Sequence, residues 1–155
     1  PCDIPVLKQA SLFSCLTGLR ISDILNLAWD DIQLAPDLGY CVRIRIQKTD
    51  TETMLPISDE ALQLCGERTE GKVFRGLTRN MVNYPLRKWI TTAGIKKHIS
   101  FHCFRHTYAT LQIASGTDIY TVSKMLVHKN VTTTQIYADL VNDKKRETVN
   151  RITLK

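Results

Sequence analysis

No run of apolar residues approaches the roughly 20 needed to cross a bilayer as a helix, and no contact with a membrane is expected. The first residues carry no signal-peptide pattern, and the chain does not begin with Met, so a fragment or processed chain is expected. Five cysteines (Cys2, Cys15, Cys41, Cys65 and Cys103) are odd in number, scattered and never in a C-x-x-C pair. That spacing argues against a disulfide framework and for reduced thiols in the cytoplasm. Internal repeats and low-complexity tracts are also missing. What is present, 155 residues of which 43% are hydrophobic and 23% charged, suffices for one globular domain with a real core, and residues 1–155 are read as such.

Charge is unevenly spread. Residues 1–66 hold five Lys/Arg against nine Asp/Glu, a net of −4, whereas residues 67–155 hold sixteen against six, a net of +10. The total of +6 is therefore concentrated in one half, as a partner that is a polyanion would favour; a merely soluble basic surface is the alternative.

Periodicity predicts mostly helices. Val6, Leu7, Ala10, Phe13 and Leu16 recur at helical spacing over residues 4–17, with Gly18 placed to end the helix in a left-handed turn. A short helix follows with Ile24, Leu25 and Leu27 inward, and Asp23 is placed to hold the Arg20 guanidinium by an ion pair. Residues 40–47 alternate, with Tyr40, Val42, Ile44 and Ile46 on one face and Arg43 and Arg45 outward; residues 54–57 are read as the returning strand. Lys48 then stands at the mouth of a hairpin. Ser58 is placed to cap the next helix, residues 68–78 form a loop, and Pro85 starts or kinks a helix that Gly94 ends. Asp118 caps a helix over residues 119–126, residues 132–138 form another, and an amphipathic helix is expected over 142–155.

The densest chemistry lies in residues 100–108, Ser-Phe-His-Cys-Phe-Arg-His-Thr-Tyr. Phe101, Phe104, Tyr108 and Leu111 predict a helix with one buried face, and His102 and Arg105, three apart, share a side of it. An imidazole beside a guanidinium is poor core filling, because buried charge must be paired. It is good phosphate chemistry: the guanidinium fork matches two oxygens of one phosphate, and an imidazole moves a proton near neutral pH. Arg20, Lys48, His128 and Tyr137 lie on other elements. Together these residues contain what a metal-free attack on a phosphodiester needs. Two arginines neutralise the non-bridging oxygens, a lysine protonates the departing sugar oxygen, and a phenol is the nucleophile once a base, His102 or a water, takes its proton. Tyr137 is flanked by small and polar residues rather than by a core pattern.

Five segments carry a resemblance. Thr17-Gly18-Leu19-Arg20-Ile21-Ser22-Asp23-Ile24, Lys48-Thr49, His102-Cys103-Phe104-Arg105-His106, Leu126-Val127-His128-Lys129 and Thr133-Thr134-Gln135-Ile136-Tyr137-Ala138 resemble, in order, the catalytic boxes of the tyrosine recombinase (phage integrase) family. The resemblance implies an α+β catalytic domain, mainly α-helical with a small antiparallel β-hairpin or sheet. It implies site-specific DNA strand exchange through a covalent 3′-phosphotyrosyl intermediate, without cofactor or metal. By that analogy Tyr137 is the nucleophile, Arg20, Arg105 and His128 bind the scissile phosphate, Lys48 is the general acid, His102 assists proton transfer and Asp23 gives support. The implied partners are double-stranded DNA and further copies of the chain, as a tetramer on two duplexes, with a DNA-clamping domain that does not precede Pro1.

One departure stands out. The family usually places Gly before the second histidine, and here it is Val127. A β-branched residue resists positive φ, so either this turn avoids the left-handed region or His128 is displaced. Three other readings compete. A zinc site from His98, His102 and His106 with Cys103 and His128 lacks the Glu of a metalloprotease helix and would set Arg105 beside a cation. A helix-turn-helix over residues 116–137 would leave Arg20, Lys48 and His102 idle. A type IB topoisomerase uses a similar constellation, but the wording of the boxes and the short domain favour a recombinase.

Overall fold

Helix α1 spans Pro5–Thr17, with proline in its first turn where its missing N–H costs nothing. Gly18, at φ 74°, ends it as expected, and α2 follows at once over Ile21–Asn26. The computed structural model describes residues 1–155 apart from 37–38, 47–48, 129–130, 141–150, 153 and 155. The chain divides into two compact units, residues 1–105 and 106–155.

In unit 1 the buried face of α1 (Leu7, Ala10, Phe13) lies in the same core as Leu19, Ile24 and Leu27. A single turn of 3₁₀ helix, Trp29–Asp31, leads into strand β1, Ile32–Leu34. This strand is an addition to the expected hairpin. The sheet has three antiparallel strands in the order β1-β2-β3, with β2 at Tyr40–Ile46 and β3 at Thr51–Pro56. β1 is three residues long, too short for alternation to show in the sequence; it exists because Ile32 pairs with Val42. β3 begins three residues earlier than its apolar run suggests, because the cross-strand pairs Arg45–Glu52 and Ile44–Thr53 extend the ladder into polar sequence. Val42 and Ile44 face the core, while Arg43 is half-buried and bonded to Asp31 at 3.2 Å.

Ser58 caps α3, Asp59–Leu64, by accepting the Ala61 N–H at 3.1 Å. The loop over residues 68–78 is pinned to the body of the unit. Trp29 donates to the Gly71 carbonyl, Val73 donates to the Leu27 carbonyl, and the Arg68 guanidinium lies 5.9 Å from the Trp29 ring centre. Phe74 from this loop meets Phe13 edge-on at 5.2 Å. A 3₁₀ turn, Arg79–Val82, precedes α4, Tyr84–Thr92, and Pro85 sits in the first turn of α4 as its fixed φ prefers. Burial pushes the Cys65 thiol up to about 12 and raises that of Cys15, so both are poor nucleophiles.

Helix α5, His102–Ala114, has its first turn in unit 1 and its remainder in unit 2. In unit 2, Tyr108, Ala109 and Ile113 of α5 cluster with Val122 of α6 (Ile119–Met125), Leu126 just after it, and Tyr137 of α7 (Val131–Leu140). Leu111, expected on the buried face, is 57% exposed, because α6 and α7 cover the side of α5 that carries Ala109 and Ile113. Asp118 caps α6, accepting the Thr121 N–H and hydroxyl at 2.8 and 2.7 Å, which holds its carboxyl below the usual range. The helix expected over 142–155 lies mostly outside the described residues. Arg151, Ile152 and Leu154 are described and are not helical, and Ile152 and Leu154 are fully open to solvent.

Candidate active site

The turn between α1 and α2 is fixed by α1's own hydroxyls. Ser14 Oγ donates to the Leu19 carbonyl at 2.8 Å, and Thr17 Oγ1 accepts the Leu19 N–H at 3.3 Å while donating to the Phe13 carbonyl. Both side chains are buried, where polar groups need partners. The Gly18 carbonyl, left facing inward by the left-handed turn, accepts Arg105 Nη1 at 2.7 Å from 87 residues away. Arg105 is only 5% exposed. A buried guanidinium held by a backbone carbonyl keeps its charge, since arginine does not deprotonate in proteins.

Arg20 emerges from this turn as the N-cap of α2 and is exposed. Arg20, His102 and Arg105 line one cleft of about 160 Å³, walled by Leu19, Ile21 and Phe101 with Ser22 at its side. Phe101 is set there by an edge-on contact with Phe104 at 5.2 Å. Asp23, on the first turn of α2, accepts the Arg20 backbone N–H at 3.4 Å, a bond to the main chain instead of the expected pair with the guanidinium. Burial raises its carboxyl pKa, against the opposing pull of the Arg20 N–H and of the Arg20 and Arg105 charges. Two guanidinium groups and an imidazole around an apolar-walled cleft suit a tetrahedral oxyanion. Lys48 lies outside the described residues.

Unit 2 holds His128 and Tyr137. α6 ends in a Schellman turn: Val127 N–H donates to the Lys124 carbonyl at 3.1 Å and His128 N–H to the Ser123 carbonyl at 2.9 Å. Val127 occupies the left-handed position at φ 58°. Of the two expected alternatives, the first is corrected: the turn does use the left-handed region, and two hydrogen bonds hold valine in it. His128 Nδ1 meets Thr134 Oγ1 at 2.7 Å, which ties the turn to α7 one helical turn before Tyr137. Tyr137, expected to stand outside a core pattern, is 6% exposed within the unit 2 core. Ile136 beside it on α7 is exposed; the buried apolar side chains of its cluster come from α5, α6 and Leu126 just after α6, with Ala138 of α7 packed against them.

The Tyr137 hydroxyl is hydrogen-bonded to His106 Nδ1, and the two rings are tilted at 45° with centres 5.4 Å apart. In the sequence His106 stands at the end of a catalytic box and as a candidate metal ligand, with no role toward Tyr137. The signal that could have found it is its spacing: His106, Ala109 and Ile113 fall on one face of α5, and a polar ring on an apolar face needs a partner.

The family model described as "Phage integrase family" matches residues 6–144. The chain belongs to that family. It is 30% identical over 155 residues to tyrosine recombinase XerD of Lacticaseibacillus casei, across 88% of this chain and 52% of that one. The chain spans about half the length of the curated relatives it matches. Its fold is that of the catalytic domain of bacteriophage HP1 integrase, with a TM-score of 0.75 at 21% identity over 99% of this chain and 86% of that one. The same fold recurs in the XerH site-specific recombinase bound to palindromic difH substrate, with a TM-score of 0.72 at 20% identity over 93% of this chain and 45% of that one.

Proposed function

We propose that the chain is the catalytic part of a site-specific DNA recombinase that cuts and rejoins strands through a 3′-phosphotyrosyl intermediate. The observation that carries the reading is the cleft in which Arg20, His102 and Arg105 meet, in a chain of the phage integrase family. Arg20 and Arg105, with His128, neutralise the scissile phosphate; Tyr137 attacks phosphorus; Lys48 protonates the 5′ oxygen as it leaves; His102 assists proton transfer; Asp23 supports the Arg20 turn. The bond energy stays in the phosphotyrosine, so the step needs neither nucleotide triphosphate nor metal. The partner in this reading is double-stranded DNA, a choice that the XerH recombinase bound to its difH substrate supports, and the acting form is a tetramer of the full-length protein on two duplexes. A DNA-binding, thiol-scattered chain suits the cytoplasm of a bacterium, or of a bacterium carrying a phage or mobile element.

The test uses a pool of nicked duplexes with randomised flanks, in which the nick lets the cleaved fragment diffuse away. The protein should be recovered covalently bound to DNA, in the presence or absence of a chelator, and sequencing the bound strands should return one motif. Tyr137→Phe should abolish the adduct and leave DNA binding intact. An adduct formed by the Phe variant would refute the assignment, and chelator sensitivity would favour metal chemistry.

A further inference from the structure

Resting on the reading of Tyr137 as the nucleophile, we propose that His106 is its proton acceptor. A phenol titrates near pH 10, so at neutral pH the attacking oxygen needs a base within hydrogen-bond reach. Nδ1 of His106 is already bonded to that oxygen. The hydrogen bond joins residues 31 apart, on α5 and α7, and both side chains sit in or beside the unit 2 core, where rotamers are restricted by packing. Tyr137 is 6% exposed, so bulk water has little access to take the proton instead.

The step balances. As the Tyr137 oxygen bonds to phosphorus, its O–H bond breaks and the proton passes to His106 Nδ1. The bond from phosphorus to the 5′ oxygen breaks, and that oxygen takes a proton from the general acid assigned above to Lys48. On rejoining, a 5′ hydroxyl attacks phosphorus and its proton returns to the deprotonated Lys48, the bond from phosphorus to the Tyr137 oxygen breaks, and His106 returns its proton to the departing phenolate. His102, on the unit 1 cleft, keeps its place beside the phosphate-binding arginines.

The experiment measures single-turnover adduct formation on the nicked pool. His106→Ala should slow it about 10²–10⁴-fold, the usual contribution of a positioned base. His106→Asn keeps an acceptor near the Nδ1 position but takes up no proton, and should be as slow as the Ala variant. Imidazole added to the Ala variant should restore part of the lost rate in a concentration-dependent way, whereas a purely structural defect gains nothing from it. Thermal melts confirm that each variant is folded. Should either variant misfold, the imidazole nitrogen resonances of the unsubstituted protein provide the second measurement: that of His106 should shift in Tyr137→Phe. His106→Asn cleaving within about threefold of the unsubstituted protein, or a His106 resonance indifferent to Tyr137→Phe, overturns the proposal. An unsubstituted protein that forms no adduct at all refutes the recombinase reading itself, which separates the two failures.

Discussion

The cleft of unit 1 and the tyrosine site of unit 2 hold their reactive groups by different means. In the cleft, one arginine is buried and bonded to a main-chain carbonyl, and a second is exposed at the start of a short helix. The backbone of a single turn, clamped by Ser14 and Thr17, carries the exposed arginine and holds the guanidinium of the buried one. In unit 2 the phenol and the imidazole are placed by side-chain packing between three helices. Guanidinium groups are always charged and need donors pointed at a site, which a rigid turn supplies. A phenol must stay neutral until it reacts, which an apolar cluster favours. The difference teaches that damage to the cleft and to the tyrosine site should be separable in stability and in rate.

The largest expected effect divides the two arginines. Arg105→Ala leaves the buried Gly18 carbonyl without this donor, at about 1–3 kcal/mol, and removes a packed stem besides. Arg20→Ala acts at an exposed position and should stay within about 0.5 kcal/mol. Both should slow adduct formation about 10²–10³-fold, the range for losing one donor to a developing oxyanion. Equal melting temperatures for the two variants would erase the distinction between a buried and an exposed arginine.

A smaller effect sharpens the account of unit 2. A non-glycine residue in the left-handed region costs about 1–2 kcal/mol, part of which glycine gives back as backbone entropy. Val127→Gly should therefore stabilise the chain by about 0.5–1 kcal/mol in denaturant melts, with the His128–Thr134 contact retained. A loss of stability would mean that the valine side chain contributes more by packing than its backbone costs.

The smallest effect concerns Asp23. Its folded pKa is raised above 3.8, so the native state binds more protons than the unfolded chain in the window just above that value. The stability linked to Asp23 is complete below the unfolded value and is lost as pH rises through the folded one. Asp23→Asn cannot titrate and should gain on the unsubstituted protein as pH climbs through that window. Stability curves that run parallel across it would show that burial does not govern this carboxyl.

Local rules explain what could be read in advance. Gly18 and Gly94 end helices, and Ser58 and Asp118 cap them, within four residues of the groups they satisfy. The helical spacing of His102 and Arg105 placed both on one side, and the cleft contains both. The same rules misjudged Leu111 and the setting of Tyr137, whose surroundings are supplied by other helices. They also missed β1, which a pairing partner ten residues on creates.

By itself the order of residues determined α1 through α7 in outline, the caps at Gly18, Ser58 and Asp118, and the kinds of group available for phosphate chemistry, because each depends on neighbours within a few turns or on residue type alone. Only the tertiary structure decided that Arg105 rests on the Gly18 carbonyl, that valine is held left-handed before His128, and that His106 meets the Tyr137 hydroxyl. The first and last of these join residues 87 and 31 positions apart, and no short-range preference reaches that far. They exist because buried polar groups must find partners wherever the packed chain brings them.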